Sequence, residues 1–303
     1  MKHTLAALGL LLTLSGSLMA GTSGLAGFVI EINGETNPYE IYSVFLMPGA
    51  ELHIRSVQTL SSSGDVKLSA QGEKSWKGIA PPRAGAYSIT LTNAGKQMKI
   101  NLLVMTAMSE KEGEYLNGYH IGAYPSTPLN GNPIYNRPKG LFEVTDANRK
   151  LQLTPHFRLE QFICKQTGGY PKYLIIRERL LLKLEYLLAR VNEAGYEVET
   201  FGFISGYRTP YYNKSIKNVQ YSRHVWGGAA DIFIDQDKDG RMDDLNHDGV
   251  IDEKDVAVFH TIVEEQYHKE EYEEFRGGLG FYRKNASHSG FIHVDVRGWK
   301  ARW

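Results

Sequence analysis

A histidine and a carboxylate recur together at two places far apart in the chain, in Ser222-Arg223-His224-Val225-Trp226-Gly227-Gly228-Ala229-Ala230-Asp231 and in Phe291-Ile292-His293-Val294-Asp295. A fold that uses both must bring the two segments side by side. In the first, a glycine turn separates His224 from the strand Asp231-Ile232-Phe233-Ile234, so the imidazole closes one segment and the carboxylate opens the next. In the second, alternation of period two puts His293 and Asp295 on the same face. Two imidazoles and one carboxylate are donors that a catalytic zinc ion takes from a protein. The fourth position then stays with water, whose pKa falls from ~15.7 towards ~7. A lone His and Asp pair is more often a satisfied polar contact. The wider pattern separates the two cases.

The string Ser-x-His-x-x-Gly-x-Ala-x-Asp at Ser222 to Asp231, preceded by Ser205-Gly206-Tyr207-Arg208-Thr209-Pro210 and followed by the late His-x-Asp, resembles the zinc D-alanyl-D-alanine metallopeptidases. That family includes murein endopeptidases and shares its zinc fold with the hedgehog signalling domain. The resemblance spans residues 154–303 and implies His224, Asp231 and His293 as zinc ligands. It also implies that Arg208 pairs with a substrate or transition-state oxygen, for which a planar guanidinium fork is suited; otherwise Arg208 is a surface ion-pair partner. Many members carry Glu or Asp three residues before the last ligand, where this chain has Gly290. Others place a histidine five residues before it, here His288. An imidazole with its ordinary pKa of ~6.5 can take a proton from water and return it to a leaving amine. Asp295 competes for that role, or orients a ligand imidazole from behind, and His288 is then a solvated loop residue.

Between the two metal segments lies an acidic block. Asp235-Gln236-Asp237-Lys238-Asp239-Gly240-Arg241-Met242-Asp243 runs directly into Asp244-Leu245-Asn246-His247-Asp248-Gly249-Val250-Ile251-Asp252-Glu253-Lys254-Asp255. Calcium takes six to eight hard oxygens, and an EF-hand loop supplies them from positions 1, 3, 5, 7, 9 and 12 around a glycine at 6. The second loop fits with Asp244, Asn246, Asp248, the Val250 carbonyl, Asp252 and Asp255, where Asp replaces the usual Glu in the manner of dockerin loops, which it resembles. The first fits at Asp235, Asp237, Asp239 and Asp243 and then overlaps its neighbour. Ca2+ is expected in a structural role beside the strand that carries Asp231, the bland alternative being an acidic solvated loop.

The chain opens with a basic Lys2-His3, an apolar Leu5 to Leu14 and a small-residue Ser15 to Ala20, the pattern of a secretory signal peptide over residues 1–20. The apolar run is shorter than the ~20 residues that span a bilayer, and no later stretch reads as a transmembrane segment. A periplasmic or secreted location follows. Cys164 is the single cysteine, so no internal disulfide is possible. Lys and Arg number 34 against 34 Asp and Glu, so loss of Lys2 with the leader leaves one net negative charge. That balance argues against a nucleic-acid partner.

Residues 27–108 read as short strands broken by turn residues, which predicts an immunoglobulin-like β-sandwich; residues 109–153, rich in Gly, Pro, Asn and Tyr, read as an ordered connector. Residues 154–303 read as an α+β zinc peptidase domain with the calcium-loop insertion at 235–255. Leu180, Leu184, Leu187, Leu188 and Val191 recur at helical spacing and Gly195 ends the run, giving one amphipathic core helix. Strands are expected at Val198 to Ile204, at Asp231 to Ile234 and around His293, with a helix over Lys254 to Tyr267. Residue chemistry points to metal-assisted hydrolysis; the resemblance adds peptidoglycan stem peptides as substrate. The alternatives are a non-catalytic zinc and calcium recognition module of hedgehog type, or a cell-wall binding protein that works through its sandwich.

Overall fold

The computed structural model describes residues 24–286 and 288–303; the signal-peptide segment lies outside them. It is a β-rich, multidomain chain. The first unit places two sheets face to face. One contains β1 (Leu25–Ile32), β2 (Glu35–Tyr39), β4 (Glu51–Ser56), β6 (Ser69–Gly72) and β7 (Ser75–Ile79) in the order β2-β1-β4-β7-β6. The other contains β3 (Ile41–Leu46), β5 (Ser61–Gly64), β8 (Gly85–Asn93) and β9 (Lys96–Val104) in the order β3-β9-β8-β5. Strict alternation of exposed and buried residues in β4 sends Leu52 and Ile54 into the shared core with Ile30, Ile89 and Ile100.

β3 and the end of β9 break that alternation: Tyr42 to Leu46 are buried without interruption. Their second face packs on the C-terminal unit. Phe45 and Leu103 belong to the C-terminal core, Ser43 Oγ donates to the Leu153 carbonyl at 2.9 Å, and the Phe45 amide donates to Glu178 Oε1 at 2.9 Å.

Between the units run β10 (Thr106–Ala107), the hairpin β11 (Tyr115–Leu116) and β12 (Tyr119–His120), and β13 (Gly140–Val144), which pairs with both β10 and β14 (Lys172–Leu174). The leucine stripe forms α1 (Glu178–Glu193) as its spacing predicts. The C-terminal sheet contains β15 (Gly202–Ser205), β16 (Ala229–Phe233), β17 (Gly278–Tyr282), β18 (Phe291–Asp295) and β19 (Ala301–Arg302) in the order β15-β16-β18-β17-β19. The strand expected from Val198 begins only at Gly202, because Val198 and Phe201 are drawn into the helix-side core before the chain extends. A short helix α2 (Pro210–Ser215) follows Arg208, and α3 (Glu253–Gln266) follows the acidic block and packs against β17 and β18. Among the described residues no helix is long and apolar enough to cross a membrane.

Candidate metal centre

Register assembles the centre. Ser205 lies opposite Asp231, Asp231 opposite His293, and His293 opposite Gly280, so the two sequence segments meet on adjacent strands β16 and β18. His224 arrives from the 3-10 turn Arg223–Trp226, which Gly227 ends in the left-handed region at φ 65°. A Cβ on Gly227 would stand 2.0 Å from the Ile175 carbonyl oxygen, so glycine alone lets the turn press there and present His224.

His224 Nε2, His293 Nδ1 and Asp231 Oδ1 lie 3.1, 3.2 and 2.8 Å from one another, and all three side chains are buried. Each outer ring nitrogen already faces an acceptor: His224 Nδ1 the Gly206 carbonyl at 2.6 Å, and His293 Nε2 the Asp295 Oδ2 at 3.3 Å. Outer nitrogens therefore carry the hydrogens and inner ones present lone pairs. With the outer nitrogens as donors, three lone pairs converge, an arrangement that a bound cation relieves. The donor set of two imidazoles and one carboxylate fits zinc.

Electrostatics agree with that geometry. Burial disfavours charge on Asp231, but the His224 and His293 imidazoles outweigh it and hold its carboxyl well below the usual range. Burial pulls His224 down. Burial also opposes charge on His293, yet Asp231 and Asp295 outweigh it and raise its pKa. A metal ion bound at these atoms competes with protons for the same lone pairs.

Arg208 is buried and donates through Nη2 to Asp231 Oδ2 at 2.5 Å and through Nε to Ser205 Oγ at 2.8 Å. It thus clamps the carboxylate oxygen that faces away from the triad. Asp295 lies behind His293. Its carboxylate accepts from the Gly278 amide at 2.8 Å and from Arg297 Nε and Nη2 at 2.8 and 2.5 Å, and it is fully buried. Gly278 makes the space, since a Cβ there would lie 2.5 Å from Asp295 Oδ2. These contacts make Asp295 an acceptor that orients the imidazole.

His288 keeps to its loop: Nε2 pairs with Asn285 Nδ2 at 2.8 Å, Nδ1 with the Ser289 carbonyl at 2.7 Å, and its ring meets Phe291 edge-on at 4.8 Å. Phe291 shares a face of β18 with His293, two residues on. Gly290 points the other way; a Cβ there would be 2.2 Å from Val256 Cγ2 on α3. The position that holds a carboxylate in many zinc peptidases therefore faces the helix in this chain.

The acidic block forms two loops built alike. In the first, the Asp239 amide donates to Asp235 Oδ1 and Asp237 Oδ1, and the Gly240 amide to Asp235 Oδ2. In the second, the Asp248 amide donates to Asp244 Oδ1 and Asn246 Oδ1, and the Gly249 amide to Asp244 Oδ2. Residues four and six of each loop, Lys238 and Gly240, then His247 and Gly249, are left-handed. Carboxylate oxygens of Asp235, Asp237 and Asp239 gather within 4.8 Å of one another. Asp243 takes the Gln236 amide at 2.7 Å. Asp252 and Asp255 are used differently: Asp252 caps α3 through the Lys254 amide at 2.8 Å, and buried Asp255 accepts the amides of Leu245, Asn246 and Asp252. Val250 is exposed, its amide on Asp248 Oδ1 at 3.0 Å.

Sequence reasoning missed two residues beside the centre. Lys183, on the helix that carries the leucine stripe, is buried and donates to the carbonyls of Asp295 at 2.7 Å and Phe275 at 3.0 Å; burial pulls its pKa down to about 7. A lysine inside Leu180-Leu181-Leu182-Lys183-Leu184 was the available signal. Trp303 lies with its ring centroid 5.1 Å from that of His293, and no local pattern marks it.

No family model matches the chain, and no curated protein does. Among solved structures it is similar to a nucleoside hydrolase-related hypothetical protein from Saccharophagus degradans associated with carbohydrate metabolism, at 13% identity over 30% of its own length with a TM-score of 0.19. The chain spans about 27% of that protein's length. A likeness so slight leaves fold and function to the residues themselves.

Proposed function

We propose that the chain is a zinc-dependent peptidase that hydrolyses peptidoglycan stem peptides or cross-links, of the D,D-carboxypeptidase or murein endopeptidase type. The observation that carries this reading is the convergence of His224 Nε2, Asp231 Oδ1 and His293 Nδ1, each held from behind by Gly206, Arg208 or Asp295. Under this reading residues 154–303 form a zinc peptidase domain and the two-sheet unit an immunoglobulin-like sandwich that spaces or binds; the protein works in the periplasm or outside the cell. The peptidoglycan substrate rests on the motif resemblance, and the hydrolytic chemistry on the ligand set.

His224, Asp231 and His293 hold the metal. Bound zinc supplies Lewis acidity and lowers the pKa of water towards ~7. Arg208 contributes positive charge next to the centre, which favours an oxyanion developing there. Asp295 fixes the His293 tautomer and ring angle. His288, on the loop before β18, would have to give up its Asn285 or Ser289 partner to move a proton between water and leaving amine. Asp235, Asp237 and Asp239, with Asp244, Asn246 and Asp248 in the second loop, would hold calcium, which would neutralise carboxylates next to the strand bearing Asp231.

Incubation of defined muropeptides with the zinc-loaded mature protein, followed by chromatography and mass spectrometry, tests the reading. New products that vanish with His224→Ala are expected, and their masses identify the bond cut. A protein that binds one zinc per chain yet yields no product from any pentapeptide or cross-linked substrate is instead a recognition module. That second reading draws on Arg208 and Asp295, both engaged within the centre itself.

A further inference from the structure

The row Ser205, Asp231, His293 continues across β18 to Gly280 on β17. Gly280 has no side chain to add to the row, and the indole of Trp303 fills its place. A Cβ at Gly280 would lie 2.6 and 2.7 Å from Trp303 Nε1 and Cε2, and one at Gly278, two residues along on the same face, would lie 2.8 Å from Cη2. The ring thus lies lengthwise over two glycines. Three further contacts fix it: Nε1 donates to Tyr282 Oη at 2.7 Å, the Trp303 carbonyl accepts the Phe281 amide at 2.9 Å, and the Arg297 guanidinium stands 5.1 Å from the ring centre. Despite these anchors Trp303 is 48% exposed. A large apolar ring, locked in orientation and open to solvent one strand from a metal ligand, is the arrangement found in binding sites.

We infer that Trp303 is the substrate platform of this centre, seating the aliphatic face of the residue that flanks the scissile bond. Distance sets which residue that is. Adjacent strands are about 4.8 Å apart, and an extended peptide advances about 3.3–3.6 Å per residue, so a chain reacting beside His293 places its next residue over the indole. Trp303 acts by contact with substrate, and Arg297 and Tyr282 act as positioning residues for the ring. The inference rests on the peptidase reading for its ligand and on the sheet register for its place.

The test compares wild-type protein with Trp303→Ala and Trp303→Phe, using a free stem pentapeptide and a cross-linked muropeptide as probes. Zinc affinity by chelator competition is expected to stay within about threefold in both variants. KM is expected to rise at least tenfold in Trp303→Ala with kcat within threefold, and Trp303→Phe should recover most of the loss. Binding is also read without turnover: adding pentapeptide to metal-free protein should change an indole emission that Trp303→Phe lacks. Unchanged KM in Trp303→Ala alongside active wild type overturns the platform and leaves the peptidase standing. Lost zinc binding in Trp303→Phe makes Trp303 a packing residue for His293 and likewise overturns it. A wild type that cuts neither pentapeptide nor cross-linked muropeptide but shows the emission change removes the peptidase reading and keeps the platform as a peptide-binding surface; no cutting of either and no change overturn both.

Discussion

Replacing Asp295 with Asn separates an orienting role from a proton-transfer role at that position. In the native protein one carboxylate accepts from His293 Nε2, the Gly278 amide and Arg297. Asparagine keeps the shape but has one acceptor oxygen and one donor amide. If the oxygen stays on Gly278, the new N–H group confronts His293 Nε2–H or the guanidinium, and a donor faces a donor. The imidazole then either turns or shifts its hydrogen to Nδ1, which points at the metal position. Loss of such an outer partner typically costs ~10–100-fold in metal affinity, about 1.4–2.7 kcal/mol. We expect Asp295→Asn to weaken zinc by that factor in chelator competition, with a smaller fall in kcat once zinc is saturating. A proton-transfer role makes the opposite pattern: zinc affinity unchanged and kcat down by ~10²–10⁴ at saturating metal. Zinc affinity within threefold of wild type would refute the orienting role derived from these contacts.

Gly227 and Gly249 are both left-handed, yet only Gly227 has backbone against its missing Cβ, at 2.0 Å, while nothing lies within 4 Å of Gly249. Gly249→Ala should therefore cost only the conformational strain of about 1–2 kcal/mol, whereas Gly227→Ala should cost more and also release zinc, as read by thermal unfolding and metal stoichiometry. Burial opposes charge on His156, but Glu185 at 2.6 Å outweighs it and raises the imidazole above its ordinary value. That stabilisation is complete below pH ~6.5 and is lost as pH rises through the raised value, so urea midpoints from about pH 6 to 9 should decline in wild type and decline less in Glu185→Gln. Calorimetry should find calcium binding at ~10⁻⁴–10⁻³ M that disappears in Asp235→Ala/Asp244→Ala with zinc stoichiometry intact; no heat at millimolar calcium in the wild type would reject calcium in these loops.

How much of this was legible in the sequence depends on the range of the signal. His224, Asp231 and His293 could be picked out because a glycine turn and a period-two strand are local patterns, and the same residues prove to converge. The two loops were legible for the same reason: each closes its own hydrogen bonds between side chains and nearby amides, over residues 235–240 and 244–249. The leucine stripe likewise declares α1 by its spacing alone. Asp255 reads as a ligand by position, but its burial in the first turn of α3 and the amides of Leu245 and Asn246 decide where its oxygens point. Asp295 was left between two roles because alternation gives its face but not its neighbours; Gly278 and Arg297 settle those. A lysine among leucines marked Lys183 as unusual without saying what it meets, while β17 and Trp303 gave no local signal, since a Gly-Leu-Gly-Phe-Tyr segment and a distant tryptophan acquire meaning only when strand register sets them beside His293. Sequence by itself pointed to the candidate residues and the turns that present them, because glycine turns and strand alternation follow from near neighbours and the motif string is local. Tertiary structure alone decided what stands behind and beside each donor, because sheet order and register depend on contacts between residues far apart in the chain.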